Sequence, residues 1–186
     1  MKKFATADLH DFHNNIIKYC SRPFKDVFHM RETLITNWNA KVTAKDLVFV
    51  LGDVTSIKNA SEIEGFMHRL NGMKILIYGN HDKALRHPKK PCGFHERVEY
   101  LETSINDGTI DRTLVMFHYP IFAWNKRHHG AWHIYGHSHG MSVESMNTLG
   151  PGSWDVGVDV NNYAPISFSE LATKIKTTYP EWPPKA

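Results

Sequence analysis

A chain of 186 residues, 41% of them hydrophobic and 22% charged, suffices to build one core and has an ordinary globular balance that excludes a disordered chain or collagen-like repeats. Its formal net charge of +3 is too mild for a dedicated nucleic-acid binder, because Lys and Arg gather into no long run; "HPKKP", His87 to Pro91, reads as a solvated loop. Thirteen histidines against two cysteines point to imidazole rather than thiolate chemistry. Cys20 and Cys92 have no C-x-x-C spacing and are expected as reduced thiols. No apolar stretch of signal-peptide length precedes Asp8, and no later run approaches the ~20 residues of a membrane span. The expectation is a soluble, cytoplasmic, single-domain protein over residues 1–186, with no membrane partner.

In chain order, "KFATA" is the first short apolar run and reads as a strand. From Asp26 to Trp38 the residues Val27, Met30, Leu34 and Trp38 fall on one helical face. "LVFVL" follows as a second strand. A second helix is expected from Asn59 to Leu70, with Ile63, Phe66, Met67 and Leu70 inward, Asn59 as N-cap, Glu62 three residues on and Asn71-Gly72 as the stop. "KILIY" then completes a β-α-β pattern of strands buried on both faces. "KALRHPKKPCGFHE" reads as an exposed excursion. "VEYLETSINDGTIDRTLVMF" reads as two extended stretches joined by a turn at Asn106-Asp107-Gly108. "WHIY" and, after the Gly150-Pro151-Gly152 turn, "WDVGVDV" are the late strands. Ser167 with Glu170 makes a capping box for a last helix ending before Tyr179-Pro180, and "YPEWPPKA" is expected to pack loosely.

The polar residues that follow the apolar runs carry the functional signal. After "KFATA" stand Asp8 and His10; after "LVFVL", Gly52-Asp53; after "KILIY", Gly79-Asn80-His81-Asp82; after "TLVMF", His118; and after "WHIY", Gly136-His137-Ser138-His139. Taken singly, each is ordinary turn or cap chemistry. Together they place Asp, Asn and His at the ends of five strands, where sites assemble in open α/β sheets. Glycines 52, 79 and 136 come just before them, as expected where the backbone turns sharply or approaches an ion or substrate. Period-two alternation carried past "WHIY" aims His137 and His139 the same way. Seven candidate ligands are too many for one tetrahedral zinc and fit two ions about 3.5 to 4 Å apart with a bridging carboxylate, so that His137 and His139 each reach a different ion.

The segments D-x-H, G-D, G-N-H-D, H and G-H-x-H, in this order from Asp8 to His139, resemble the five signature segments of the calcineurin-like metallophosphoesterase superfamily. The short chain is similar to its compact bacterial and phage-encoded members. The resemblance implies an α/β fold, a β-sandwich of two mixed sheets flanked by helices, with "WDVGVDV" as its closing strand and a binuclear site at the C-terminal strand ends. It assigns Asp8, His10 and His139 to one ion, Asn80, His118 and His137 to the other, and Asp53 as the bridge. The mixed oxygen and imidazole donors suit two divalent ions, manganese first, with iron, zinc or nickel next. The implied activity is hydrolysis of phosphodiesters, or of phosphomonoesters, of small or nucleotide-like molecules by a hydroxide bridging the ions. His81 resembles the family's histidine at the leaving oxygen, with Asp82 as its orienting partner. Arg22 and His13 are the candidates for gripping substrate phosphate. "GDVTSIK" lacks the arginine of the protein phosphatase branch, which disfavours that activity. A nuclease acting on DNA or RNA is the runner-up, disfavoured by the absence of a basic stripe; a non-catalytic metal-binding scaffold comes next, and a structural metal protein is weaker still. His128 and His129 are expected to be solvated, and His29, His68, His87 and His95 structural or exposed. Protein partners are not legible.

Overall fold

The structure is a computed structural model, which describes residues 1–86, 92–140 and 149–182. The "HPKKP" loop, with His87, and the last four residues of the proline-rich end lie outside the described residues.

Alternation along the strands fixes the layers. In β2 (Leu47–Val50), Val48 and Val50 face a helical layer, while Leu47 and Phe49, with Leu51 beyond them, face a second sheet. Both faces are apolar, which is why the run is nearly continuous in hydrophobic residues. β2 lies between β1 (Lys3–Thr6) and β3 (Met73–Ile77), parallel to both; β4 (Glu96–Val98) adds parallel to β3, and the short β9 (Ile166–Ser167) runs antiparallel to β1. The order is β4-β3-β2-β1-β9. The second sheet has the order β5-β6-β7-β8, from β5 (Leu101–Asn106), β6 (Asp111–Met116), β7 (Trp132–Tyr135) and β8 (Ser153–Asp155). Its first pair is antiparallel and the other two are parallel. Two mixed sheets flanked by helices are therefore present.

Among the described residues the helices are α1 (Asn14–Tyr19), α2 (Val27–Lys41), α3 (Ala60–His68), α4 (Lys83–Arg86) and α5 (Phe168–Thr178). The predicted stripe of α2 buries Met30, Leu34 and Trp38, and the side chain of Asp26 accepts from the His29 N–H to start the helix. Asn59 caps α3 by accepting from Ser61 and Glu62, and Ile63, Phe66 and Met67 pack with Val48, Val50 and Leu76 of the first sheet. Ser167 and Glu170 form the expected capping box, so that Phe168, Leu171 and Ile175 of α5 join the core between the sheets.

Three expectations change. The extended stretch before the hairpin is two strands: β4 pairs in the first sheet and β5 in the second, with the chain crossing at Glu99 and Tyr100. "WDVGVDV" is strand only to Asp155; Gly157 makes a parallel bridge to Ala7, and residues 158–160 form a 3₁₀ turn. The region after Asp82 is less exposed than its charges suggest, since Leu85, Cys92 and Phe94 are buried. No disulfide joins Cys20 and Cys92. Among the described residues no helix is long and apolar enough to cross a membrane.

Candidate metal centre

The ends of β1, β2 and β3 meet the ends of β6 and β7 along one edge of the sandwich. Asp8 N–H donates to the Gly52 carbonyl at 3.0 Å, and Gly136 N–H to that of His118 at 2.9 Å, which sets the loops of each sheet side by side. Across the sheets, His137 N–H donates to Asp8 Oδ2 at 2.9 Å and His118 Nδ1 meets the Leu51 carbonyl at 2.7 Å.

The strand ends do not continue as extended chain. Asp8, His10, Asp53, His137 and His139 all have left-handed backbone, with φ between 49° and 66°. This corrects the alternation argument. Left-handed bends at His137 and His139, on either side of Ser138, accompany His137 beside His118 and Asn80 and His139 beside His10, so the two imidazoles have different neighbours. Such conformations are tolerated best by Asp, Asn and His among non-glycine residues, and they cluster where side chains must be held to a purpose. Close approach needs the glycines: a Cβ on Gly79 would overlap Asp53 Oδ1, and one on Gly136 would lie 2.7 Å from Asp8 Oδ2.

Three groups of side chains among the described residues could hold a metal ion, with ligand atoms within 4.8 Å of one another in each: Asp8, His10 and His139; Asp53, His118 and His137; and Cys20, His139 and Asp159, which shares His139 with the first. Asn80 belongs beside the second, its Oδ1 lying 3.0 Å from both His118 Nε2 and His137 Nδ1. Asp53 Oδ2 sits between the groups, 3.5 Å from His10 Nε2 and 3.6 Å from His118 Nε2.

Donors and acceptors test whether these residues fit a cation. The Leu51 carbonyl only accepts, so His118 carries its proton on Nδ1 and presents a bare Nε2. Asp159 Oδ2, 2.7 Å from His139 Nδ1, likewise leaves that ring's Nε2 as the available nitrogen. Asp8 Oδ2 is occupied by the His137 N–H, whereas Asp8 Oδ1 and His10 Nε2 are buried without any hydrogen-bond partner. Around Asp8 Oδ1 and His10 Nε2, buried lone pairs are thus left without a donor, a deficit that a cation satisfies.

Charge points the same way. Asp8, Asp53, Asp155 and Asp159 are buried or nearly so around this edge. Burial, then the charges of Asp155 and Asp53, push the Asp8 carboxyl well above the usual carboxylate range. Burial, followed by neighbouring His139 and Arg22, pushes His10 down to about 2, so its imidazole is neutral. Asp155 is fixed by Ser138 Oγ and the N–H groups of Gly140 and Gly157, which braces the loop carrying His137 and His139.

Other predicted site residues are placed differently. His81 is exposed at the rim; its N–H donates to Asp53 Oδ1 at 2.8 Å, and its ring lies 5.3 Å from that of His10 and 6.0 Å from that of His13. His13 is half-buried beside them, and burial together with His81 and Arg22 lowers its pKa. Asp82 does not orient His81. Its carboxylate is buried and accepts from the N–H groups of Gly79, Asp53 and Val54, locking two strand-end loops together. Arg22 does not face a substrate either: its side chain is fully buried, and its donors go to Asp159 (2.8 Å twice), the carbonyls of Leu9 and Asp8 (3.0 and 2.7 Å) and Met30 Sδ (3.4 Å). It holds the charge and the backbone of the site.

Asp155 and Asp159 are the residues missed in the sequence. Their signal was present, since "WDVGVDV" is another apolar run punctuated by Asp and Gly. Asp11 was also missed; its carboxylate takes two bonds from Arg31 of α2, at 2.8 and 2.6 Å, and ties the first loop to that helix. His128 and His129 are exposed, with rings 4.0 Å apart.

No protein-family model matches the chain. The crystal structure of AQ665 from Aquifex aeolicus, a protein of unknown function, is similar with a TM-score of 0.70 and 24% identity, over 94% of this chain and 99% of that one, and so shares the fold. The gene 66 protein of Mycobacterium phage D29 is 26% identical over 83% of this chain and 86% of its own length. The uncharacterized protein MJ1445 of Methanocaldococcus jannaschii is 34% identical over 178 residues, 94% of this chain and 92% of that protein. With that identity over nearly the whole length of both, the chain belongs to the MJ1445 family.

Proposed function

We propose that the protein is a metal-dependent phosphoesterase of the calcineurin-like type, hydrolysing phosphodiester bonds of small or nucleotide-like substrates. The observation that carries this reading is the shared wall at Asp53: one carboxylate oxygen stands 3.5 Å from His10 Nε2 and 3.6 Å from His118 Nε2, between two groups of candidate ligands, and in the first of them Asp8 Oδ1 and His10 Nε2 are buried without a hydrogen-bond partner. Asp8, His10 and His139 with Asp53 would hold one divalent ion, and Asn80, His118 and His137 with Asp53 the other; manganese suits this mixture of oxygen and imidazole donors. Such ions, when bound, supply an activated water and neutralise charge on a phosphoryl group.

The chain's own part is positioning and proton control. His118 and His139 are held in one tautomer by the Leu51 carbonyl and Asp159, so their ligand nitrogens stay bare without reorganisation. Asp82 and Asp155 fix the loops that carry Asp53, Asn80, His137 and His139. His81, open to solvent at the rim and anchored through its own N–H to Asp53, offers an imidazole N–H to the leaving oxygen. As the bond from water oxygen to phosphorus forms and the ester bond breaks, that proton neutralises the departing alkoxide. His13, beside His81 and His10, is placed to contact the phosphoryl group.

The test is hydrolysis of bis(p-nitrophenyl) phosphate by metal-stripped protein before and after addition of manganese, with p-nitrophenyl phosphate in parallel. Manganese-restored cleavage of the diester is expected. Absence of turnover with manganese, iron, zinc and nickel would remove the reading.

A further inference from the structure

A cleft of about 520 Å³ has His81 in its lining and so adjoins the candidate metal centre. It is lined by Ser56, Ile57 and Lys58 from the loop after β2, by His81 from the loop after β3 and by Lys83 and Ala84 at the start of α4. Its volume lies in the range that accommodates a nucleotide-sized group. Ile57 and Ala84 supply apolar surface, and the Ser56 side chain and both ammonium groups are exposed. Six other cations, Arg22, Arg31, Lys41, Arg69, Arg86 and Arg112, pair with carboxylates. Lys58 and Lys83 make no ion pair among the described residues, and both line one concave surface. The Thr55 hydroxyl at its edge is committed to Asp11, which leaves the Ser56 hydroxyl, the two lysines and the His81 ring as its side-chain donors.

We propose that this cleft is a subsite for a second phosphate group, on the leaving-group side of the substrate. The inference rests on the phosphodiesterase reading for its orientation. His81 lines the cleft while its ring stands 5.3 Å from that of His10, so a group departing past His81 moves into this space. Two unpaired ammonium groups and a hydroxyl suit a dianionic phosphate. The substrate class is then a nucleotide-like diester carrying a further phosphate one unit away, as in a short phosphorylated oligonucleotide.

Binding tests the subsite independently of turnover. Thymidine 5′-monophosphate and thymidine 3′,5′-bisphosphate are titrated calorimetrically into manganese-loaded protein. The bisphosphate is expected to bind about tenfold more tightly, from two partly exposed charged contacts. In the double variant Lys58→Gln/Lys83→Gln the ratio falls to about one. The control Lys2→Gln/Lys45→Gln removes the same charge at the opposite ends of β1 and β2, and it keeps the ratio. Equal binding of the two ligands by the unaltered protein, or a preference surviving in the Lys58/Lys83 variant, overturns the proposal. A preference that depends on both lysines, in protein that cleaves no phosphodiester, supports the subsite and overturns the reaction assigned to its neighbour.

Discussion

Arg22 offers five N–H groups, and the five acceptors around it are two carboxylate oxygens, two carbonyls and a thioether. Arg22→Ala leaves Asp159 buried without its cation, so stability should drop by about 3 to 5 kcal/mol in urea unfolding. Arg22→Lys should recover only part, because one ammonium cannot span acceptors set around a planar fork. The sequence offered a cation near the first motif; its partner stands 137 positions away, which no local pattern reveals. His81 is the opposite case, named from its motif and found at the rim. His81→Ala should lower kcat about 100- to 10,000-fold while the metal content by elemental analysis stays unchanged. Unaltered turnover would take it out of the reaction. His133 of β7 answers to pH. Burial lowers its pKa to about 4, so the folded protein keeps it neutral where the unfolded chain, near 6.5, binds a proton. The unfolded state therefore gains protons first, and stability falls as pH drops from 6.5 towards 4. His133→Gln should flatten this dependence by about 1.4 kcal/mol per pH unit relative to the unaltered protein.

At the scale of elements, strand ends do the positioning. The strands were legible because apolar runs buried on both faces leave an unmistakable pattern, and the residue after each run was therefore legible as well. The handedness of the bends was not: positive φ at Asp and His leaves no mark in sequence, and extrapolating the strand period sent His137 and His139 in one direction. Gly136 is the sharper test of this geometry. Its Cα lies where a methyl group would press on Ala7 Cβ at 2.5 Å and Asp8 Oδ2 at 2.7 Å. Gly136→Ala should weaken manganese binding about 10- to 100-fold by displacing Asp8, with the circular dichroism spectrum retained. Unchanged affinity would show that Asp8 is free to adjust.

For the molecule as a whole, the division into two sheets was the least legible feature. Nothing in "RVEYLETSIN" announces that Val98 pairs with Ile77 while Leu101 pairs with Met116, because each half satisfies the same strand pattern. The consequence is that Asp8, Asp53 and Asn80 come from one sheet and His118, His137 and His139 from the other. A cation held by both sets would fasten the sheets at one edge and relieve repulsion among Asp8, Asp53, Asp155 and Asp159. Manganese at about 100 times its dissociation constant should add about 2.7 kcal/mol to unfolding stability, read as a raised thermal midpoint reversed by chelator. A midpoint indifferent to divalent ions would argue against binding at this edge.

The hydrogen bond between His137 and Asp8 closes 129 positions of chain. During synthesis, then, Asp8, Asp53 and Asn80 emerge before His118, His137 and His139, which complete the candidate set. A cation held by both sets would be bound only once the chain is complete to His139. Its contribution should be felt as slower unfolding, while the rate at which the chain first folds stays the same.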